Sequence, residues 1–123
     1  MPPDPRRDVP ARLSLDVKAQ RLLVAWRDGH ESVYPGAYLR FVCPCAACRG
    51  HAPGEVVPPA WEQVKAVTVS DGVPVGGYGL QFAFSDGHSS GIYAFDRLRS
   101  ACPCVLCDPE GADRGRAADL GAP

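Results

Sequence analysis

The sequence predicts a small single α+β domain, predominantly β-sheet with short helices, built from two strand-strand-strand-helix units. Three observations predict it. Short runs of alternating apolar residues are separated by Asp-Gly and Gly/Pro turns, which is the period of half-buried strands. Two stretches of the chain repeat one another at their apolar, turn and cysteine positions, with one residue inserted between the histidine and Leu-Arg in the second copy. The length of 123 residues, with 46% hydrophobic and 22% charged, suits one globular core in which about two-thirds of the unfolded surface is buried.

Residues 1–11 carry four prolines and are expected to be a flexible tail. Residues 12–107 are the predicted domain. Within it, "RLSLDV" (12–17) and "RLLVAWR" (21–27) are strands joined by a short turn, and "DGH" (28–30) turns the chain into a third strand, "ESVYP". Asp-Gly is a strong hairpin signal because glycine accepts the positive φ that such turns require. "PGAYLRFV" (35–42) is one or two helical turns opened by proline. "RGHAPGEVVPPAW" is a loop by its glycines and prolines. After it, "VKAVTVS" (64–70), "GYGLQFAFS" (77–85) and "SGIYAF" (90–95) are strands, and "DRLRSA" is a second short helix. Residues 108–123 are polar, glycine-rich and aperiodic, the composition of a second flexible tail.

The repeat pairs "LLVAWRDGHESVYPGAYLRFVCPCAAC" (22–48) with "LQFAFSDGHSSGIYAFDRLRSACPCVLC" (80–107). Each copy runs from an apolar strand ending in an aromatic through Asp-Gly-His, a serine two residues on, a tyrosine and Leu-Arg to Cys-Pro-Cys and a third cysteine. Such self-similarity implies two units facing each other across a pseudo-twofold axis.

All six cysteines fall in the two triplets, Cys43, Cys45, Cys48 and Cys102, Cys104, Cys107. The N-terminus lacks an apolar signal-peptide core and no segment is apolar for long enough to span a bilayer, so a cytoplasmic location is expected. Thiols stay reduced there, and closely spaced cysteines serve as metal ligands or redox centres rather than disulfides. Thiolate sulfur is a soft donor suited to zinc or iron–sulfur clusters, and a structural zinc ion takes four Cys/His ligands. Each triplet supplies three. Of the three histidines, His30 and His88 occupy equivalent turn tips in the repeat. By symmetry His88 is the candidate fourth ligand of Cys43, Cys45 and Cys48, and His30 that of a second metal site with Cys102, Cys104 and Cys107. His51, in the loop after the first triplet, is the competitor for a vacant position.

Pro44 and Pro103 each fix a backbone dihedral between two ligands, lowering the entropy lost when the loop closes. Three thiolates and an imidazole around a divalent ion leave about one negative charge, and Arg40, Arg49, Arg97 and Arg99 are near enough in sequence to offset it. Asp28 and Asp86 read as turn residues bonding their own backbone, with orientation of the adjacent histidine as a secondary role. Trp26, Phe82, Phe84, Tyr93 and Phe95 read as core or sheet-face packing, because no basic patch interleaves with them to form a nucleic-acid platform.

The run "YLRFVCPCAAC" followed about forty residues later by "FSDGHSSGIYAFDRLR" resembles the gamma-butyrobetaine hydroxylase-like N-terminal domain, a small domain of largely unknown function; the resemblance extends over about residues 12–107. In the hydroxylase that names the family the equivalent residues hold a structural zinc, which implies Cys43, Cys45, Cys48 and His88 here. There the domain precedes a 2-oxoglutarate-dependent oxygenase core with a two-histidine, one-carboxylate iron site, and a similar domain is attached to Mrp-type ATPases. These 123 residues contain neither a His-x-Asp pair nor a phosphate-binding glycine loop with its lysine.

The expectation is therefore a non-enzymatic zinc-binding domain, an accessory or protein-interaction module, monomeric or homodimeric, for an unidentified protein partner such as a separately encoded enzyme. The net charge of −1 disfavours nucleic acid and membrane surfaces as partners. Three thiolates plus histidine leave no open position for a catalytic water. The rival is an iron–sulfur cluster carrier or assembly accessory, with three cysteines and one other ligand per site.

Overall fold

The computed structural model describes residues 5–45, 48 and 56–104. The chain folds as β1 (Pro10–Asp16), β2 (Arg21–Trp26), β3 (Glu31–Pro35), α1 (Gly36–Phe41), α2 (Trp61–Val64), β4 (Val69–Val75), β5 (Gly79–Phe84), β6 (Ile92–Ala94) and α3 (Phe95–Ser100). Two antiparallel three-stranded sheets result, ordered β1-β2-β3 and β4-β5-β6. The fold is α+β and mostly strand, and each sheet is followed by a short helix, so the duplicated unit is present in three dimensions.

Alternation decides which face is buried. Leu22, Val24 and Trp26 of β2 and Leu80, Phe82 and Phe84 of β5 point inward, two residues apart, as the pleat requires. With Tyr34, Val69, Tyr93, Leu39 and Leu98 they form one core that draws on both sheets and on α1 and α3. Phe95 packs against its edge. Helices of six residues are too short to hold themselves together in water; complete burial of Leu39 and near-complete burial of Leu98 tie α1 and α3 to this core.

The two sheets share details beyond the repeat legible in the sequence. Pairing of β1 with β2 shifts between Pro10↔Trp26 and Arg12↔Ala25, and pairing of β4 with β5 shifts between Val69↔Phe84 and Asp71↔Ala83. The same bulge thus sits at the same place in both units. The Asp-Gly-His turns also superimpose in their bonding. Asp28 Oδ1 accepts the His30 N–H and Asp86 Oδ1 that of His88, both at 3.1 Å. Trp26 N–H donates to the His30 carbonyl at 2.8 Å and Phe84 N–H to that of His88 at 3.0 Å. Gly29 and Gly87 take φ of +95° and +81°, open to glycine at no steric cost.

Three boundaries differ from the sequence reading. The first strand begins at Pro10, and residues 5–9 also make fold contacts: Arg27 N–H donates to the Val9 carbonyl at 2.9 Å and Arg99 to that of Arg7 at 2.7 Å. The strand expected at 64–70 lies instead at Val69–Val75. Val64 ends α2, a single turn at whose start the Gln63 side chain accepts the Ala60 N–H and whose Trp61 packs edge-on against Phe41. Gly72 and Pro74 disguise β4 as a turn, yet proline is tolerated because β4 is an edge strand. Pro35 serves as the N-cap of α1 rather than its first residue. The tail positions 1–4 and 108–123 lie outside the described residues. No helix among the described residues is long and apolar enough to cross a membrane.

Candidate metal centre

The end of α1 delivers Cys43 and Cys45 to the tip of the β5–β6 turn, which carries His88. Cys43 and Cys48 are buried, and Cys45 and His88 are half-buried. The His88 Nε2 atom lies 3.1, 3.2 and 3.7 Å from the Sγ atoms of Cys43, Cys45 and Cys48. All four donor atoms fall within 4.8 Å of one another. Tetrahedral zinc with bonds of about 2.3 Å to sulfur and 2.0–2.1 Å to nitrogen requires sulfur–nitrogen edges of about 3.6 Å, so the three sulfur–nitrogen separations lie within about 0.5 Å of those of a single ion.

The second group mirrors the first. The α3 helix delivers Cys102 and Cys104 to the β2–β3 turn, where His30 Nε2 lies 3.4 Å from Cys102 Sγ and 3.7 Å from Cys104 Sγ. Cys102 is buried, and His30 and Cys104 are half-buried. The expected fourth member, Cys107, lies outside the described residues, as do His51 and Arg49. In each group the histidine and the cysteines come from opposite units.

The environment prepares these sulfurs unequally. Burial raises the Cys43 thiol to about 12. Burial also opposes ionisation of Cys45, but hydrogen bonds with Ser90, Cys43 and Cys48 outweigh it and bring that thiol down to about 6. Burial likewise raises Cys102. Among the candidate counter-charges, Arg40 places a guanidinium nitrogen 3.2 Å from Cys48 Sγ while Nε binds Asp86 at 2.9 Å. Arg99 makes the equivalent pair with Asp28 at 3.0 Å and stacks over Trp26. Arg97 is exposed.

These arginines explain the aspartates more fully than turn chemistry alone. Asp28 is held below the usual carboxylate range first by the Arg99 hydrogen bond. Burial opposes ionisation of Asp86, but Arg40 and the His88 N–H outweigh it. Each aspartate therefore shapes its own histidine turn and grips the arginine of the other unit.

The sequence reading did not assign several residues that build this arrangement. Tyr34 donates its hydroxyl to the Leu98 carbonyl and Tyr93 to that of Leu39, a reciprocal pair joining each sheet to the opposite helix. Burial raises both phenols, which keeps them protonated as donors. Ser90 bonds Cys45 and Ser32 bonds Cys102, again across units. Gly91 leaves no room for a side chain, since a Cβ there would sit 2.5 Å from Cys43 Sγ. The signal for the tyrosines and serines was their place in the repeat; Gly91 has no counterpart in the first copy and carried none.

Fold and donor sets together define a duplicated α+β domain with Cys/His groups that could hold metal ions. The chain belongs to the family described as gamma-butyrobetaine hydroxylase-like, N-terminal, whose profile matches residues 13–99. A crystal structure of a protein of unknown function of the DUF971 family, from Acidithiobacillus ferrooxidans ATCC 23270, is 33% identical. The match covers 80% of this chain and 97% of that one, with a TM-score of 0.62. Two solution NMR structures, each 24% identical, share the fold. One match covers 92% of this chain and 86% of the other, with a TM-score of 0.62. The second covers 100% and 89%, with a TM-score of 0.60. No curated protein matches the chain.

Proposed function

We propose that this is a non-enzymatic zinc-binding module whose metal is structural, joining the Cys43–Cys48 loop of one unit to the His88 turn of the other. The observation that carries the reading is the convergence of three sulfurs and one imidazole nitrogen, all within 4.8 Å of one another. Four protein donors fill a tetrahedral zinc site and leave no position for water, which separates structural from catalytic zinc. A groove of about 490 Å³, lined by residues including Val9, Pro10, Tyr78 and Phe95, has none of these donors in its wall. The module then acts through contact with another protein, such as a separately encoded enzyme in the cytoplasm.

An iron–sulfur cluster distributes its ligands over separate irons, so the short separations around His88 favour one ion. Anaerobic purification followed by metal analysis tests the reading. Colourless protein holding zinc that is lost in Cys45→Ser and His88→Ala, with chelation lowering the unfolding temperature, is expected. Brown protein containing iron and sulfide, or chelation that leaves stability unchanged, would overturn it. Apparent binding energies of about 10–16 kcal/mol for structural zinc in small domains make the expected thermal shift large.

A further inference from the structure

We propose that His30, Cys102 and Cys104 form a second metal site, for a soft divalent ion of the zinc class, independent of the first. Its donors converge as closely as those around His88: 3.4 and 3.7 Å from nitrogen to sulfur against 3.1, 3.2 and 3.7 Å. The match in donor chemistry is not a by-product of packing alone, because the supporting parts are duplicated too. The Asp28 turn bonds the His30 backbone as the Asp86 turn bonds that of His88. Arg99 pairs with Asp28 across the units as Arg40 does with Asp86.

The second site also stands apart from the family match, which ends at residue 99, before either cysteine. Thiolates and a neutral imidazole select zinc-class ions over magnesium or calcium, which prefer oxygen.

Cobalt(II) titration of the reduced, metal-free full chain tests this, because sulfur-to-cobalt charge-transfer absorption counts thiolate-bound ions. In wild type the absorption should grow to two equivalents per chain. His30→Ala and Cys104→Ser should each stop it at one, and His88→Ala should also stop it at one while leaving the equivalent that His30→Ala removes. Saturation at one equivalent in wild type, unchanged by His30→Ala, would overturn the second site. Failure of the first site alone would instead appear as saturation at one equivalent in wild type that His30→Ala abolishes and His88→Ala leaves, so the two readings fail separately. A measurement on wild type guards against variants that do not fold. Alkylation of Cys104, read by mass spectrometry, should slow at least tenfold once two equivalents of zinc are bound, and equal reactivity at zero and two equivalents would overturn the proposal.

Discussion

Gly91 contributes no donor atom, yet a single methyl group there should weaken metal binding. A Cβ added to Gly91 would lie 2.5 Å from Cys43 Sγ, about 1 Å inside the 3.4 Å at which ordinary contact begins, and 3.3 Å from Pro44 Cδ and Tyr93 Cε1. A metal donor must stay within about 0.2 Å of its bonded position, so the sulfur cannot retreat by that distance and remain a full ligand. Overpacking of this kind costs about 1–3 kcal/mol, a factor of about 5 to 150 in an equilibrium constant. Competition against a chromophoric chelator should show zinc affinity in Gly91→Ala reduced about 10- to 100-fold. In metal-free protein no metal bond fixes the Cys43 sulfur, so the same substitution should lower the urea-unfolding free energy by less than it does in zinc-bound protein. Affinity within twofold of wild type would refute the reasoning, as would an equal loss of stability with and without metal.

Removing the hydroxyl of Tyr93 takes the side-chain donor from the Leu39 carbonyl, whereas removing that of Tyr34 leaves the Leu98 carbonyl its bond from the Ala101 N–H. Tyr93→Phe should cost about 1–3 kcal/mol and Tyr34→Phe about 0.5–1.5 kcal/mol, read from urea midpoints. Asp86→Ala deletes both the bond that shapes the His88 turn and the partner of Arg40. By analogy with other partners of metal ligands it should lower zinc affinity about 10- to 100-fold in the same chelator assay. Leu98→Ala empties a core position and should cost about 2–5 kcal/mol, whereas Leu13→Ala, at a side chain 38% exposed, should stay within about 0.5 kcal/mol by thermal unfolding.

Strands β2 and β5 were legible because their inward residues recur at period two, and the hairpins after them because Asp-Gly marks the turn. Strand β4 was not. "SDGVPV" carries the residues of a loop, and it becomes a strand only because β5 offers it an antiparallel edge in the same bulged register that β1 takes on β2. The four residues of α2 are too few to show a period. Donor residues could be read from the repeat alone, since cysteine triplets and turn-tip histidines stand out by chemistry. The repeat also marked Ser90 and the two tyrosines, and Tyr93 read as core packing, but their individual hydrogen bonds were not legible; Gly91, without a counterpart in the first copy, carried no signal.

The reciprocal exchange of histidines has a consequence for assembly. Each turn meets the cysteines of the opposite unit, so the two halves resemble the subunits of an isologous dimer, with the tyrosine–carbonyl, aspartate–arginine and histidine–cysteine contacts each made twice. A chain carrying one such unit would complete its donor sets only by pairing with a second copy. Its metal affinity would then rise and fall with protein concentration, as for any obligate dimer. Carrying both units on one chain replaces that association with an intramolecular one, at an effective concentration in the millimolar range for short connections. The donor sets therefore stay assembled at dilutions where separate copies would part and release their ions.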